Sequence, residues 1–505
     1  MSLTEAAPLF VGGEDVRGGG GLIERENPAV AAQSVGAVQT ASPAQVDATV
    51  GAAAGAWRAW RRLPLAERAE RVLAAWTFDE PARATLSELL TRELGKVRAD
   101  AAGELGYGIA NVVYAAERAE VVGRRVEDDA EGRFAFDRVP FGVVAAIIPW
   151  NAPLVLSSVK VGPALIAGNT VVVKPSPLAP LAVTEYLRRV AARLPAGVLN
   201  IVNGDADVGA RLVSDPRIGK IAFTGSGPVA ASILRSAAVN VTPSLLELGG
   251  NDAAIVLPDL ELTDDVLCRM VFGSFLTAGQ VCMAIKRLLV PRERFAEFVE
   301  RYRAVADRVL VVGDPMAEAT TLGPVVSARQ RDRVRGLVER ARADGAVVEP
   351  LGTPGDPGFD LAGGYFLTPT LVHGLPADHE LVVTEQFGPT VPLLPYDDVE
   401  HAVALAEDSE FGLCASVWTA DEERAFDIGQ RLHVGTVFVN THNRSGMSLR
   451  APFGGVKRSG SGREFGVAGL REFSQPRVIS HLTAVRSAGP DAGRRYPSWK
   501  EETIR

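Results

Sequence analysis

Short apolar runs, each followed by turn residues and a helix-like stretch, recur along two parts of the chain. They occupy residues 143–148, 170–173, 197–202 and 221–223 in the first part, and residues 253–257, 287–290, 415–418 and 436–439 in the second. Runs without polar alternation predict strands that are buried on both faces, and strands that alternate with helices are typical of a parallel sheet. The pattern therefore predicts an α/β fold with two units that divide between residues 244 and 250.

Weaker patterns cover the other segments. Residues 43–114 have helical periodicity, and residues 133–139 alternate apolar and polar side chains, which predicts a half-exposed strand at a sheet edge or an interface. Residues 1–25 contain four consecutive glycines, so we expect a flexible arm, followed by short strands and turns over residues 26–50. The tail after residue 474 is polar and rich in Pro and Gly, and we expect it to pack on a partner subunit or to stay mobile.

Composition narrows the class of protein. The 505 residues are 47% hydrophobic and 23% charged, which is an ordinary globular balance in a chain long enough for several domains. The net charge of −8 gives no basic footprint for nucleic acid, and no apolar run reaches the roughly 18–20 residues of a membrane helix. The first residues lack the features of a secretory signal, and three cysteines are too few for a disulfide framework. We therefore expect a cytoplasmic α/β enzyme or binding protein.

Cys282 is the candidate nucleophile. It follows Gly279 and Gln280, where the chain turns after a helix-like run, so that a ligand can reach the thiol. Cys268 and Cys414 lie in apolar stretches and are assigned to the core, which is also the alternative interpretation of Cys282. The six histidines all lie in the last third of the chain, and none is paired at metal-ligand spacing. The sequence therefore predicts neither a metal site nor an obvious histidine partner for the thiol.

Glu247 is the candidate base. It stands between two leucines before a Gly-Gly turn, and a carboxylate is costly to bury there unless it is used or paired. An ion-paired glutamate at a strand end is one alternative. A dinucleotide fingerprint is another, because residues 225–230 match G-x-G-x-x-[G/A] and Glu247 follows Gly227 by 20 positions, where a ribose-binding acid is expected. At least two apolar strands precede this turn, however, whereas the fingerprint belongs to the first strand–helix turn of a sheet.

Seven short motifs occur in the order of one family. They are PWNAP at 149–153, KPSP at 174–177, FTGS at 223–226, LELGG at 246–250, GQVC at 279–282, EQFGP at 385–389 and PFGGVK at 452–457. With these motifs the chain resembles the aldehyde dehydrogenase superfamily over about residues 24–480. The resemblance implies that the protein oxidises an aldehyde to a carboxylic acid with NAD(P).

The resemblance also implies three catalytic residues. The Cys282 thiolate would attack the aldehyde carbon, while the Asn151 amide and the Cys282 N–H would bind the oxyanion, a contribution of typically ~3–4 kcal/mol per donor. Glu247 would activate the water that hydrolyses the thioester, so it would be catalytic rather than a ribose ligand. Relatives that pass the acyl group to coenzyme A characteristically lack this glutamate, and its presence favours a free acid as the product.

The cofactor residues follow from the same resemblance. Lys174 would hold the adenosine ribose, Ser226 the pyrophosphate and Glu385 the nicotinamide ribose. The full set is Pro149, Trp150, Lys174, Ser176, Gly225, Ser226, Gly249, Glu385 and Phe387, the last beside the nicotinamide ring. Many NAD-preferring members have a glutamate where this chain has Pro177. NAD is therefore the expected cofactor, and NADP is the alternative.

The substrate pocket is expected to be a roomy hydrophobic tunnel for aromatic or branched aldehydes. Its predicted lining is Ala152, Leu156, Val159, Val281, Met283, Met447 and Phe453. In one alternative, the loop at residues 442–444 fills this space. In another, Arg444 recognises the carboxylate of a semialdehyde, which an NADP-linked enzyme would oxidise. A cofactor-independent thiol esterase that uses Cys282 and Glu247 is a rival from a different class.

The implied architecture has a Rossmann-type cofactor domain, an α/β catalytic domain and a small oligomerisation element. We assign residues 1–121 and 142–246 to the NAD(P)-binding domain and residues 247–455 to the catalytic domain. Residues 122–141 and 477–497 are assigned to the oligomerisation element, which would serve a homodimer or homotetramer.

Overall fold

Two β-sheets flanked by helices form most of the protein in the computed structural model, which describes residues 6–129 and 132–482. The strands are β1 (Leu9–Val11), β2 (Glu14–Val16), β3 (Gly21–Asn27), β4 (Val30–Thr40), β5 (Arg125–Asp128), β6 (Gly132–Pro140), β7 (Val143–Ile148), β8 (Thr170–Pro175), β9 (Leu199–Ile201), β10 (Ile218–Thr224), β11 (Ser244–Glu247), β12 (Asp252–Val256), β13 (Ile285–Pro291), β14 (Val311–Val312), β15 (Val347–Pro350), β16 (Thr353–Pro354), β17 (Thr370–His373), β18 (Thr390–Tyr396), β19 (Phe411–Gly412), β20 (Cys414–Trp418), β21 (Thr436–Val439), β22 (Val456–Lys457), β23 (Gly460–Ser461) and β24 (Ser474–Leu482). The helices are α1 (Pro43–Trp60), α2 (Leu65–Ala75), α3 (Glu80–Leu94), α4 (Arg98–Glu117), α5 (Pro153–Ile166), α6 (Pro180–Ala191), α7 (Ala206–Ser214), α8 (Gly227–Asn240), α9 (Asp264–Phe275), α10 (Phe295–Val309), α11 (Ala328–Ala343), α12 (Glu380–Val383), α13 (Val399–Glu407), α14 (Glu422–Gly429) and α15 (Gly466–Arg471).

The first sheet has eight strands in the order β2-β1-β9-β8-β7-β10-β11-β23. The five central strands, from β9 to β11, are parallel, and β1, β2 and β23 extend the sheet in antiparallel pairs. Apolar clusters cover both faces, so every residue of β8 is buried. The strand order reverses between β7 and β10, and ligands of such sheets bind at the carboxyl ends of the strands at this switch point.

The second sheet has seven strands in the order β15-β17-β18-β13-β12-β20-β21. All neighbours are parallel except β15 and β17. The chain leaves the first sheet after Glu247 and enters the second at Asp252, at the predicted division. The predicted α/β class and its eight apolar strands are therefore confirmed, whereas the domain boundaries stay a prediction.

A third sheet has the order β24-β6-β5. The strand predicted at residues 133–139 is present as β6, but its placement at a sheet edge is wrong, because β24 and β5 pair along the two sides of β6. Its alternating pattern reflects partial exposure of the sheet faces rather than a free edge. The alternative placement at an interface stays a prediction. Of the predicted oligomerisation element, residues 130, 131 and 483–497 lie outside the described residues.

The expected N-terminal arm is also wrong over residues 6–25. Leu9 and Phe10 are buried, which anchors β1 against β9, and β2 pairs with β1. The glycine run is held in place as well, since the Gly18 N–H donates to the Gln39 side chain at 2.7 Å and the Gly20 N–H to the Thr40 carbonyl at 2.9 Å. The glycine-rich composition therefore did not predict the conformation of this segment correctly, because hydrogen bonds to the backbone hold it in place.

Helices α4 and α5 lie against each other and fix the loop after β7. The contact is close, because a Cβ on Gly108 would lie 2.8 Å from Ser158 Oγ. At the start of α5 the Leu154 N–H donates to Glu104 Oε1 at 2.7 Å, and Lys96 Nζ binds the other carboxylate oxygen at 2.5 Å. A buried ion pair thus caps the helix that follows the predicted oxyanion residue. No helix in the described ranges is long and apolar enough to cross a membrane.

Candidate active site

A cleft of about 410 Å³ lies where the carboxyl edge of the first sheet meets the second sheet. The loops after β7 and β10 contribute one wall, and the segments before β13 and β18 contribute the other. Nine predicted site residues line it: Pro149, Trp150, Asn151, Gly225, Ser226, Gly249, Cys282, Glu385 and Phe387. The sheet topology therefore brings together motifs that are far apart in the sequence.

A strained turn presents Cys282 to the cleft. After α9 ends, Thr277, Ala278 and Gly279 all have positive φ angles of 53°, 54° and 71°. A Cβ on Gly279 would lie 2.3 Å from the Gly388 carbonyl oxygen, so this position requires glycine. Gln280 Oε1 accepts the Val326 N–H at 2.9 Å and fixes the loop. The conformational strain is held by these contacts, as is common where a reactive group is positioned.

Lys286 holds the Cys282 loop through hydrogen bonds to its backbone. Its Nζ donates to the carbonyl oxygens of Val281 at 2.8 Å and Cys282 at 2.5 Å, and lies 3.6 Å from Glu385 Oε1. Burial raises the pKa of the Cys282 thiol to about 12, although the Lys286 charge acts in the opposite direction. The resting side chain is therefore a thiol, which needs a proton acceptor before it can act as a nucleophile.

Glu247 ends β11 and is buried. Neither carboxylate oxygen has a hydrogen-bond partner within the described ranges. Burial, together with the nearby Glu464 carboxylate, raises the pKa of Glu247 well above its usual range, while Lys160 opposes the shift. A Cβ on Gly454 would lie 2.6 Å from Glu247 Oε1, so the glycine of the PFGG motif leaves space beside the carboxylate. Such an unpartnered buried carboxylate has the properties of a general base or acid.

Lys160 and Glu464 form an ion pair beside Glu247. Lys160 is fully buried, pairs with Glu464 and donates to Thr224 Oγ1 at 2.6 Å. Sequence reasoning missed Lys160, Lys286 and Glu464. A signal was available for the two lysines, because the chain has only seven, and five of them are buried.

Several groups that line the cleft are placed to bind a cofactor. Trp150 and Phe387 meet edge to face with ring centroids 5.4 Å apart, and Phe387 has a φ of 51°. A Cβ on Gly249 would lie 2.4 Å from Glu385 Oε2, so glycine leaves this carboxylate accessible at the cleft. Ser226 precedes α8 without a side-chain cap, which leaves the first N–H groups of that helix for an anion. These groups fit the ring, ribose and pyrophosphate of a nicotinamide dinucleotide.

Lys174 and Ser176 do not line the cleft. Lys174 Nζ donates to the Pro175 carbonyl at 3.1 Å and keeps further donors free, and burial lowers the pKa of Lys174 to about 8. Ser176 Oγ accepts the Leu178 N–H at 3.2 Å. Both belong to the end of β8, next to β7, so they suit the adenosine end of an extended dinucleotide rather than its reactive end.

Gln330 and Arg333 are among the eight lining residues of the cleft that were not predicted. Gln330 Nε2 donates to the Phe387 carbonyl at 2.7 Å, and Arg333 donates to the carbonyls of Gln386 and Glu385 at 2.7 and 2.6 Å. Both lie on α11, more than fifty residues before the segment that they hold. No short-range sequence signal could have linked them to it.

The predicted substrate residues are only partly brought together. Leu156, Val159, Met283, Met447 and Phe453 share one apolar cluster with Cys282. Val281 belongs to a neighbouring cluster, and Ala152 to neither, in the loop before α5. The cluster also contains residues that sequence reasoning missed, namely Tyr107, Val155, Leu413, Cys414, Phe438, Leu449 and Phe465.

Arg444, the candidate carboxylate ligand, lies beside α4 and is already paired. Its guanidinium is 3.3 Å from Asp100 and lies over the Phe272 ring at 5.8 Å. The Asp100 carboxylate therefore already pairs with the Arg444 guanidinium, the group that would bind the carboxylate of a semialdehyde. Within the described residues, no group of three or more metal-ligating side chains is present.

Comparisons with known proteins agree with this geometry. The family model "Aldehyde dehydrogenase family" matches residues 16–479. The 2-hydroxymuconic semialdehyde dehydrogenase of Pseudomonas sp. strain CF600 is 39% identical over 93% of this chain and 98% of its own. The vanillin dehydrogenase of an Amycolatopsis species is 36% identical over 88% of this chain and 90% of its own. A solved aldehyde dehydrogenase of Mycobacterium tuberculosis, complexed with NAD+, is 35% identical in sequence and superimposes with a TM-score of 0.88. The match covers 94% of this chain and 98% of that one. The chain therefore belongs to the aldehyde dehydrogenase family, whose reaction is the NAD(P)-linked oxidation of aldehydes.

Proposed function

We propose that this protein oxidises an aromatic or bulky hydrophobic aldehyde to the free carboxylic acid through a thioester on Cys282. The observation that carries the proposal is the cleft itself, in which the Cys282 loop faces the residues that suit a nicotinamide dinucleotide and borders an apolar cluster. When bound, the nicotinamide accepts the hydride that leaves the substrate carbon.

Cys282 acts first. Its thiol loses the proton to the Glu247 carboxylate, and the sulfur adds to the aldehyde carbon, which gives a thiohemiacetal with an oxyanion. The Asn151 amide and the Cys282 N–H stabilise that oxyanion. Because the pKa values of both the thiol and the Glu247 carboxyl are raised by burial, proton transfer between them is better matched than with an ordinary solvent-exposed carboxylate.

Glu247 then acts on the thioester. Once the proton from the thiol has passed to solvent, the carboxylate takes a proton from a water molecule, and the resulting hydroxide adds to the thioester carbon. The sulfur leaves as a thiolate, the carboxylic acid forms, and the Glu247 carboxyl returns its proton to the thiolate. The nearby Glu464 carboxylate raises the pKa of Glu247 and the Lys160 ammonium lowers it, and neither forms a hydrogen bond with the Glu247 carboxylate. This arrangement holds Glu247 ready to gain and lose a proton while it excludes bulk water.

The apolar cluster supports an aromatic substrate. Its side chains around Cys282 are aliphatic, aromatic or sulfur-containing, and the related vanillin dehydrogenase is named for an aromatic aldehyde. A semialdehyde is the second candidate, because the Pseudomonas relative is named for one. The ion pair of Arg444 with Asp100 disfavours that candidate.

NAD is the proposed cofactor, with NADP as the alternative. Pro177 cannot accept hydrogen bonds from ribose hydroxyls and does not repel a 2′-phosphate, whereas a glutamate there would do both. The Lys174 ammonium, buried near the same strand end, would attract either the ribose hydroxyls or a phosphate. We assign the first sheet to the cofactor domain and the second to the catalytic domain with the predicted boundaries.

A homodimer or homotetramer is proposed from exposed apolar side chains on the third sheet. Val478, Ile479 and Leu482 on β24 and Val126 on β5 are each about half exposed. Val478 and Leu482 lie on one face of this sheet, and Ile479 and Val126 lie on the other. Contacts with other copies of the chain would cover both faces, since exposed apolar side chains of this kind mark interaction surfaces. Sedimentation of a Val478→Asp, Ile479→Asp variant tests this, and an unchanged mass would count against the assignment.

The function is tested with purified protein, NAD or NADP, and a panel of aliphatic, aromatic and carboxylate-bearing aldehydes without coenzyme A. The wild type should form reduced nucleotide and free acid in equal amounts, and Cys282→Ser should form neither. Cys268→Ser is the matched control, because Cys268 lies on α9 outside the cleft. If Cys282-dependent ester cleavage occurs but no nucleotide is reduced, the thiol esterase rival replaces the proposal.

A further inference from the structure

The hydroxyl group of Tyr107 has no hydrogen-bond partner within the described part of the chain, although its oxygen is buried. Three other buried tyrosines are all bonded: Tyr186 to Ser158 and Trp76, Tyr302 to Ser274, and Tyr396 to the Val256 carbonyl. A buried hydroxyl without a partner destabilises a protein. A polar atom of a bound ligand can serve as the partner of such a hydroxyl.

Tyr107 lies in the apolar cluster that contains Cys282. Its ring packs on Phe465 with a centroid distance of 5.8 Å, and Phe465 packs on Phe453 at 6.3 Å. Phe465 has a positive φ of 56°, so its ring is held by a strained backbone rather than by local preference.

The charge around Tyr107 favours a neutral ligand group. Asp100, Gly103 and Tyr107 lie at intervals of three and four residues along α4, and thus on one helix face. Arg444 packs against the first two of these residues and is neutralised by Asp100. The negative charge of Asp100 would repel a substrate carboxylate, because Arg444 is already paired with Asp100 and does not offset it. A phenol or ether oxygen carries no charge and would accept a hydrogen bond from the Tyr107 hydroxyl.

We propose that Tyr107 is a specificity-determining residue whose hydroxyl hydrogen-bonds a neutral oxygen substituent on an aromatic aldehyde, at the end remote from the reacting carbonyl. The inference rests on the proposed function and narrows its substrate class to hydroxy- and alkoxy-substituted aryl aldehydes. Burial raises the pKa of Tyr107 to about 12, so the hydroxyl remains a donor at neutral pH. The apolar ring walls hold the aryl group, and the hydroxyl selects its substituent.

The test compares benzaldehyde, 4-hydroxybenzaldehyde, 4-methoxybenzaldehyde and 4-carboxybenzaldehyde in the wild type and Tyr107→Phe. The preference for the hydroxy and methoxy compounds over benzaldehyde, measured as the ratio of kcat/KM values, should fall about 3- to 10-fold in the variant. The kcat/KM value for benzaldehyde, which has no oxygen substituent, should change less than the values for the hydroxy and methoxy compounds. Tyr114→Phe, on the same helix but outside the cluster, should leave every ratio unchanged.

A second readout needs no substrate. Because the Tyr107 hydroxyl is unpaired in the free protein, Tyr107→Phe should raise the thermal midpoint, whereas Tyr186→Phe, which loses two hydrogen bonds, should lower it. A lowered midpoint for Tyr107→Phe would mean that the hydroxyl has a structural partner and would overturn the inference.

The kinetic outcomes separate the inference from the proposed function. If the wild type oxidises the panel but the ratios do not change in Tyr107→Phe, only the Tyr107 assignment is wrong. If the variant loses the carboxylate compound most, the neutral substituent is the wrong class. If the wild type oxidises no aldehyde with either nucleotide, both the proposed function and the inference are wrong.

Discussion

Replacement of Lys160 by methionine removes a buried positive charge and keeps a similar side-chain volume. Lys160 and Glu464 are 0% and 1% exposed, so solvent does not screen their interaction. The substitution leaves the carboxylates of Glu464 and Glu247 together in the interior without the cation between them. It also removes the hydrogen bond to Thr224.

The expected loss in the free energy of unfolding is ~3–5 kcal/mol, the usual effect of removing one partner from a buried pair. The pKa of Glu247 should rise further, because Lys160 now opposes the effects of burial and of Glu464. A base with a higher pKa is protonated over a wider range, so the acid limb of the kcat profile should move to higher pH.

Urea unfolding and the pH dependence of kcat measure the two effects. Arg340→Met is the matched control, because it breaks an ion pair with Glu380 in which both side chains are exposed. The double variant Lys160→Met, Glu464→Leu should recover most of the lost stability, since it replaces the whole pair by apolar groups. If Lys160→Met unfolds at the same urea concentration as Arg340→Met, the buried pair does not stabilise the fold and the reasoning is wrong.

Three further predictions concern the cleft. Asn151→Ala should lower kcat about 100- to 1,000-fold while nucleotide binding, followed by fluorescence, persists; unchanged turnover would remove Asn151 from the oxyanion site. Turnover should fall with decreasing pH already above the usual pKa range of a glutamate, because burial and Glu464 raise the pKa of Glu247 and the base must be ionised; an acid limb at about pH 4 to 5, as for an ordinary glutamate, would contradict this. Arg444→Ala should reduce kcat/KM no more for a carboxylate-bearing aldehyde than for benzaldehyde, since Asp100 already pairs with Arg444, and a selective loss would revive the semialdehyde alternative.

The parallel strands could be predicted because burial on both faces leaves a continuous apolar run in the sequence. β8 is the clearest case, with every residue buried. β24 could not be predicted in the same way, because Ser474–Leu482 is mostly exposed and pairs with β6, more than three hundred residues away. The N-terminal strands were missed because glycine favours a flexible chain unless distant backbone groups bind it, as Thr40 binds Gly20.

The candidate site also contains residues that the sequence predicts and residues that it does not. Cys282 and Asn151 stand in compact motifs, and sheet topology carries both to one cleft. Glu464 is 304 residues from Lys160, so their ion pair has no local signature. The apolar pocket was harder to predict from the sequence than the ion pair. Tyr107 belongs to a helix whose sequence pattern indicates only that it is amphipathic or buried. A residue's role there depends on which side chains the fold brings opposite to it.

The scarcity of exposed lysine has a chemical consequence for a protein that handles aldehydes. Primary amines condense with carbonyl compounds to Schiff bases, whereas arginine remains protonated. Five of the seven lysines are buried and Lys457 is paired with Glu407, while the positive charge elsewhere is carried by arginine. The described surface therefore offers few amines that could form covalent adducts with aldehydes.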